Sequence, residues 1–523
     1  MPRTSNSLPA LSALAGSLAL SFALLSSAHA AAPNASGGID WKYAGSDAEV
    51  DKAFALSKKT GKPVFFYWGA VWCPPCNQVK ATLFSRPDFV ERSRAFIPVY
   101  VDGDKAGAQK VASRFKVEGY PTMVVFKPDG TEITRLPGEV DPERYLLTLT
   151  AGLNAQVPVK DLVAKALAKG SLTPEQWRLL AFYSWDQQLV LPAADLPKRL
   201  HELAVVVPTD LAEVRDRLEL KALIAGSKAK AEMDASSAAA ARQLTERLLA
   251  DPASARRLSD ILVGYAETIT KHIAPAGEAR KALALKFESA LARLQQDQSL
   301  SRGERVDVLD AQVSTWKVID DTPQLSAQRQ KVVLREAALL VQATKDKYER
   351  QAVVPGAAYV LGQSGLFTES NELLKMELPR AVAPYYHMLA LGSNAKKQKD
   401  AKTALYWYEQ AWRKSEGPAT KIQWGTGYVR NAVELAPEDS ARIEAAASGV
   451  ITQLEPKGET FFERNQRSLK LMATSLTKWQ GSDAARTKVV EKVKQQLAKT
   501  CAKLPAADAG RGNCEKVFTP DSA

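Results

Sequence analysis

The stretch Cys73-Pro74-Pro75-Cys76 restricts the fold of this chain more than any other. It follows the apolar run Pro63-Val64-Phe65-Phe66-Tyr67-Trp68, which predicts a buried strand, apolar throughout and rich in β-favouring residues. From Asn77 the pattern turns helical, with Val79, Leu83 and Phe84 apolar, so Cys73 is expected at a helix N-terminus. Unpaired backbone N–H groups and the positive end of the helix dipole stabilise a thiolate there, which makes Cys73 the candidate nucleophile. Pro74 and Pro75 suit a first turn, where an N–H has no intrahelical partner to lose. Cys76, one turn further in, is the candidate resolving thiol. Zinc binding is the rival reading of such a pair, but the other cysteines are Cys501 and Cys514. Beyond His29, near the N-terminus, the histidines are only His201, His272 and His387, with no ligand spacing among them. A purely structural disulfide is the remaining alternative.

Further residues extend the pattern: Trp72 before the first cysteine, Phe115-x-Val117-x-Gly119-Tyr120-Pro121-Thr122 some forty residues on, then Met123–Phe126 and Gly130. With these, residues 40–152 resemble the thioredoxin superfamily, and in particular its secreted bacterial members. The resemblance implies that Pro121 is cis, lies against the disulfide and shapes a substrate groove with Trp72. It also implies that the Tyr120 backbone pairs with an extended substrate segment. Thioredoxins carry a buried acid on the strand before the cysteines; here that strand offers Phe66, Tyr67 and Trp68. Cys76 is therefore expected to lack an internal base, leaving water or a substrate group to take its proton. The Pro-Pro dipeptide replaces the thioredoxin Gly-Pro and leaves the direction of electron flow open.

At 523 residues the chain exceeds what one core usually serves, so more than one domain is expected. Arg3, the apolar stretch from Leu8 to Leu25 and Ala28-His29-Ala30 have the form of an export signal with a small-x-small cleavage site. An uncleaved membrane anchor is the alternative. The signal reading implies an oxidising destination, the periplasm by family resemblance. Net charge is +12, yet residues 31–150 hold 16 Lys+Arg against 14 Asp+Glu. The excess is spread thinly over the remainder, as on a solvated helical surface, and points away from nucleic acid.

Ser46 and Glu49 predict a capped helix to Thr60, closed by Gly61. Strands are expected at 63–68, 97–101, 122–126 and 131–136. The motif helix and a helix at 105–116 lie between them, and Asp141-Pro142 opens a last helix to Leu153. Asn154–Val159 is the expected linker. Helix signals dominate beyond it: Thr173-Pro174-Glu175-Gln176, Pro208-Thr209-Asp210, Ser237–Leu249 and periodic runs at 256–273, 278–295, 304–316 and 325–346. Leu361-Gly362, Leu391-Gly392 and Trp424-Gly425 recur at about thirty-residue spacing, and Ala404, Tyr408 and Ala411 follow the middle one. Residues 350–450 thus weakly resemble tetratricopeptide repeats, whose solenoids bind proteins; a closed bundle is the alternative. Cys501 and Cys514 flank Pro505, Gly510 and Gly512 in a tail placed after the last helix. They are expected to form a structural disulfide, with a thiol relay to Cys73–Cys76 as the alternative.

The expectation is a multidomain protein with a signal peptide at 1–30 and an α/β thioredoxin-like domain at 31–153. An all-α domain at 160–500, partly solenoid-like, and a tail at 501–523 follow. By resemblance it is a periplasmic thiol–disulfide oxidoreductase, leaning towards reductase, that needs no cofactor or metal. Its partners would be protein thiols and disulfides and a membrane electron donor. The alternatives are a client-binding or scaffold protein whose thioredoxin domain only docks, and an envelope protein whose disulfide never turns over.

Overall fold

A computed structural model describes residues 38–136, 142–187 and 189–520, so the expected export segment and Asp141 lie outside the described residues. Five strands form one mixed sheet: β1 (Lys42–Ala44), β2 (Val64–Gly69), β3 (Ile97–Asp102), β4 (Thr122–Phe126) and β5 (Glu132–Leu136), in the order β1-β3-β2-β4-β5. Central β2 runs parallel to β3 and antiparallel to β4. Its apolar run has a direct cause, since both faces of the strand are covered. Phe65 and Tyr67 pack with Cys76, Val79, Met123 and Leu149, whereas Phe66 and Trp68 pack with Phe54, Val101, Val111 and Phe126.

The helices of this layer are α1 (Asp47–Thr60), α2 (Pro74–Val79), α3 (Pro87–Ser93), α4 (Ala108–Arg114) and α5 (Pro142–Asn154). Ser46 caps α1 by accepting the Glu49 N–H, while the Glu49 carboxylate takes the N–H of Gly45. Gly61 ends α1 in the left-handed region at φ 70°, where a glycine costs least. The residues gave no warning of β1, three residues long, or of α3.

Among the described residues, all elements after α5 are helical. Residues 154–159 are no free spacer: Ala151, Val159, Leu162 and Trp177 share one buried cluster, so packing continues from α5 into the helices that follow. The run expected as one helix at 256–273 is broken into Pro252–Arg257, Ser259–Gly264 and Ala266–Ile273. The repeat-spaced glycines mark close approaches between helices. A Cβ on Gly392 would lie 2.8 Å from the Tyr408 ring, and one on Gly425 would lie 2.6 Å from Trp412 Nε1.

The C-terminal segment differs from the expected tail. Cys501 is the last residue of the helix Ala484–Cys501, and Cys514 sits on a further short helix, Ala509–Glu515. The two are disulfide-bonded and buried in the cluster of Leu476, Val490 and Leu497. Closing a loop of this length is worth roughly 3 kcal/mol. Cys501→Ser with Cys514→Ser should lower the melting temperature, read by calorimetry of the full chain, while the reduction rate of Cys73–Cys76 stays unchanged. A changed rate would instead reveal exchange between the two pairs.

Candidate active site

Helix α2 starts immediately after Cys73, which serves as its N-cap: the sulfur accepts the N–H of Cys76 at 3.2 Å. Pro74 and Pro75 occupy the first two helical positions, and Cys73 is bonded to Cys76. The buried Asn77 side chain donates to the Val71 and Cys73 carbonyls at 2.7 and 2.9 Å and so fixes the loop leading into the pair. Behind it, Tyr67 is fully buried where thioredoxins carry an acid, and its hydroxyl donates to the Cys76 carbonyl at 3.4 Å. On the neighbouring strand, Asp102 pairs in register with Gly69. Burial, and then the nearby Asp104, raise its pKa. The Tyr120–Pro121 peptide is cis and leads directly into β4.

The motif does not face open solvent. Cys73 is 2% exposed and Cys76 fully buried, and the cover comes from helices more than two hundred residues later. Trp72 donates its indole N–H to Asp104 (3.1 Å) and to Thr420 (2.9 Å), stacks on Tyr386 and meets Trp424 edge-on. Its carbonyl accepts from Gln351, whose own side-chain oxygen takes the N–H of Ala383. Arg464 forms a buried ion pair with Asp104 at 2.9 Å, and Thr420 donates to the same carboxylate. The Arg464 guanidinium lies over the rings of both Trp72 and Tyr120, 5.5 and 5.1 Å from their centroids. Its Nε and Nη1 have no hydrogen-bond partner, so the two π-faces are what those edges meet. Gln109 completes the contact by donating to the Tyr120 hydroxyl and accepting the backbone N–H of Arg464.

Several cavities lie between the sheet domain and the covering helices, among them two that share residues with the site. One, about 400 Å³, runs along Pro75, Gln78 and Tyr145. The other, about 410 Å³, opens against Tyr120 and Pro121 and is walled by Arg217, Lys221 and Lys228. Asp260 lines both. Burial, and then the nearby Arg217, bring the Lys221 ammonium down to about 7. Among the described residues no group of three or more His, Cys, Asp or Glu side chains is placed to hold a metal ion.

Residues 50–152 match the family model of the thioredoxin-like domain. A thioredoxin H-type of Oryza sativa subsp. indica is 32% identical over 91 residues, 17% of this chain and 69% of that protein. Through this domain the chain belongs to the thioredoxin-like family. The thiol:disulfide interchange protein DsbD of Pseudomonas fluorescens is 32% identical over 105 residues, 19% of this chain but only 18% of that relative's length. The solution structure of a thioredoxin from Thermus thermophilus aligns at 26% identity over 22% of this chain and 85% of its own, with a TM-score of 0.19 over the whole.

In this thioredoxin-like domain Cys73 and Cys76 share one buried cluster against which Trp72 and Tyr120 pack, and Pro121 follows Tyr120 in the chain. Cys501 and Cys514 lie elsewhere, in the core of the C-terminal helices. Missed entirely were Asp104, Gln351, Thr420 and Arg464, which cover the motif. Asp102-Gly103-Asp104 at the end of a strand was the one visible signal; nothing in the sequence links it to residues more than three hundred positions away. Removing one partner of a buried ion pair costs about 3–5 kcal/mol. If a third of that loosens the cover, Arg464→Met should speed reduction of Cys73–Cys76 by dithiothreitol about tenfold. Quenched-flow thiol trapping gives the rate, and an unchanged value would show that Arg464 does not hold the cover shut.

Proposed function

We propose that this protein is a periplasmic thiol–disulfide oxidoreductase that acts as a reductase of disulfides. The observation that carries the reading is Cys73 at the N-cap of α2, bonded to Cys76, with Tyr120 packed against the same buried cluster. The domain-level likeness to thiol:disulfide interchange proteins supports the same chemistry. In the proposed cycle the Cys73 thiolate attacks one sulfur of the substrate disulfide. That bond breaks, and the departing thiolate takes a proton from water. Cys76 then loses its proton and attacks Cys73 Sγ, releasing the second substrate thiol and leaving the protein disulfide. Two electrons and two protons have passed to substrate, and a dithiol donor, here a membrane thiol relay, restores the pair by the same exchanges in reverse. Water takes the proton of Cys76 and supplies those of the leaving thiolates, since β2 carries no acid.

One observation favours a second reading. The pair is covered by the helical region, as it would be in a client-binding or scaffold protein whose thioredoxin-like domain only docks. The repeat-like helices around residues 350–450 would then be the binding surface.

A redox titration of Cys73–Cys76, with Cys501 and Cys514 replaced, separates these. A potential near or below about −230 mV is expected for the reductase, one above about −180 mV would make it an oxidant or isomerase, and a pair that resists dithiol reduction would favour the docking role. Cys76→Ser should accumulate a mixed disulfide with a reducible protein substrate, seen as a mass increase, and Cys73→Ser should accumulate none.

A further inference from the structure

The two prolines between the cysteines leave the loop before them short of hydrogen-bond donors. The carbonyls of Val71, Trp72 and Cys73 precede Pro74 and Pro75, the first two helical positions of α2, and neither proline has an N–H to give. The first backbone donors of the helix are therefore those of Cys76 and Asn77. The Cys76 N–H serves the Cys73 sulfur at 3.2 Å, and the Asn77 N–H serves the Cys73 carbonyl at 3.1 Å. Side-chain amides make up the shortfall. Asn77 Nδ2 donates to the Val71 carbonyl at 2.7 Å and to the Cys73 carbonyl at 2.9 Å, while Gln351 reaches the Trp72 carbonyl at 3.3 Å. Asn77 is fully buried, and its Oδ1 has no hydrogen-bond partner among the described residues. A buried acceptor without a donor is a cost that an apolar side chain of the same size would avoid. What accounts for an asparagine here is its NH2 end, whose two hydrogens match two carbonyls.

We propose that Asn77 is a positioning residue for the Cys73 thiolate: by holding the Val71 carbonyl it keeps the Cys76 N–H for the sulfur. Without the amide, a buried carbonyl is left without a donor and competes for the backbone N–H groups at the start of α2. The Cys76 N–H is the one exposed to that competition, because a thiol sulfur is a weaker acceptor than a carbonyl oxygen. Ionisation of Cys73 must then displace the carbonyl, and the thiol becomes a weaker acid. The proposal rests on the oxidoreductase reading for the use made of the thiolate, and on the loop geometry alone for its stabilisation.

The test uses the full chain carrying Cys76→Ser, in which Cys73 is a free thiol and Cys501–Cys514 stays bonded. Its titration is followed by the ultraviolet absorbance of the thiolate, which needs no reagent to pass the cover. Tyr67 and Tyr145 share the buried cluster of the pair, and Tyr100 and Tyr120 pack against it. Burial pushes all four hydroxyls above their ordinary range, away from the window in which a thiolate forms. The charged groups nearby, Asp104 and Arg464 beside Trp72 and Tyr120, and Asp102 and Lys80 beside Tyr100, are the same in every variant. Asn77→Leu should make Cys73 about a tenfold weaker acid, a midpoint about one pH unit higher. Asn77→Ser, too short to span both carbonyls, should move it the same way and serves if the leucine variant does not fold. The rate of attack on 2-hydroxyethyl disulfide, read by mass as the mixed disulfide, should fall about tenfold below both midpoints. Above both it should match the parent within about twofold or exceed it, since a thiolate of higher pKa is the better nucleophile. A midpoint unmoved in both variants, or an equal change of rate at both pH values, overturns the proposal. If the parent forms no mixed disulfide at either pH, the oxidoreductase reading fails, and the titration alone decides the role of Asn77.

Discussion

The contact between Asp104 and Arg464 is the one on which the arrangement depends. Two charges removed from water are tolerable only if each finds enough partners. Here the carboxylate takes Arg464, Thr420 and the Trp72 indole, while the guanidinium lies across Trp72 and Tyr120. Both aromatic residues flank the cysteine pair in the thioredoxin-like domain, and Thr420 and Arg464 come from the far helices. The ion pair thus forms fully only when the helical region is seated on the motif. Seating in turn buries Trp72 among Tyr385, Tyr386, Met388 and Trp424, adding apolar area to the same closure.

Closure sets two influences on Cys73 against each other. Its place at the start of α2 favours the thiolate through backbone N–H groups and the helix dipole, as the N–H of Cys76 on its sulfur illustrates. Its burial under Trp72 and the helical region removes water and disfavours any charge. A reagent that meets the pair without opening the cover must be small. A protein partner requires the Asp104–Arg464 contact to break first.

Much of the redox domain was legible because its signals are local. An apolar run of six residues, two cysteines two apart, a Tyr-Pro-Thr entry to a strand and a Pro-Asp-Gly turn each reflect neighbours within a few positions. Short elements escaped for the same reason: β1 has three residues and gains its place only by pairing with β3, and α3 begins at Pro87 inside an otherwise featureless stretch. In the helical region, the break of 256–273 into three helices was invisible, because the apolar spacing continues across Leu258 and Tyr265 while the backbone turns there.

By itself the sequence determined the chemistry on offer: a cysteine at a helix start, a partner one turn on, a proline entering the next strand, and a long helical run after Asn154. Periodicity and spacing are properties of nearby residues and survive in any environment. Whether that chemistry faces solvent was decided by the tertiary structure alone. The cover joins Trp72 and Asp104 to Gln351, Thr420 and Arg464, and one cavity joins Pro121 to Lys221. Such contacts depend on where whole helices come to rest, and a buried charge is recognisable only once its surroundings are in place.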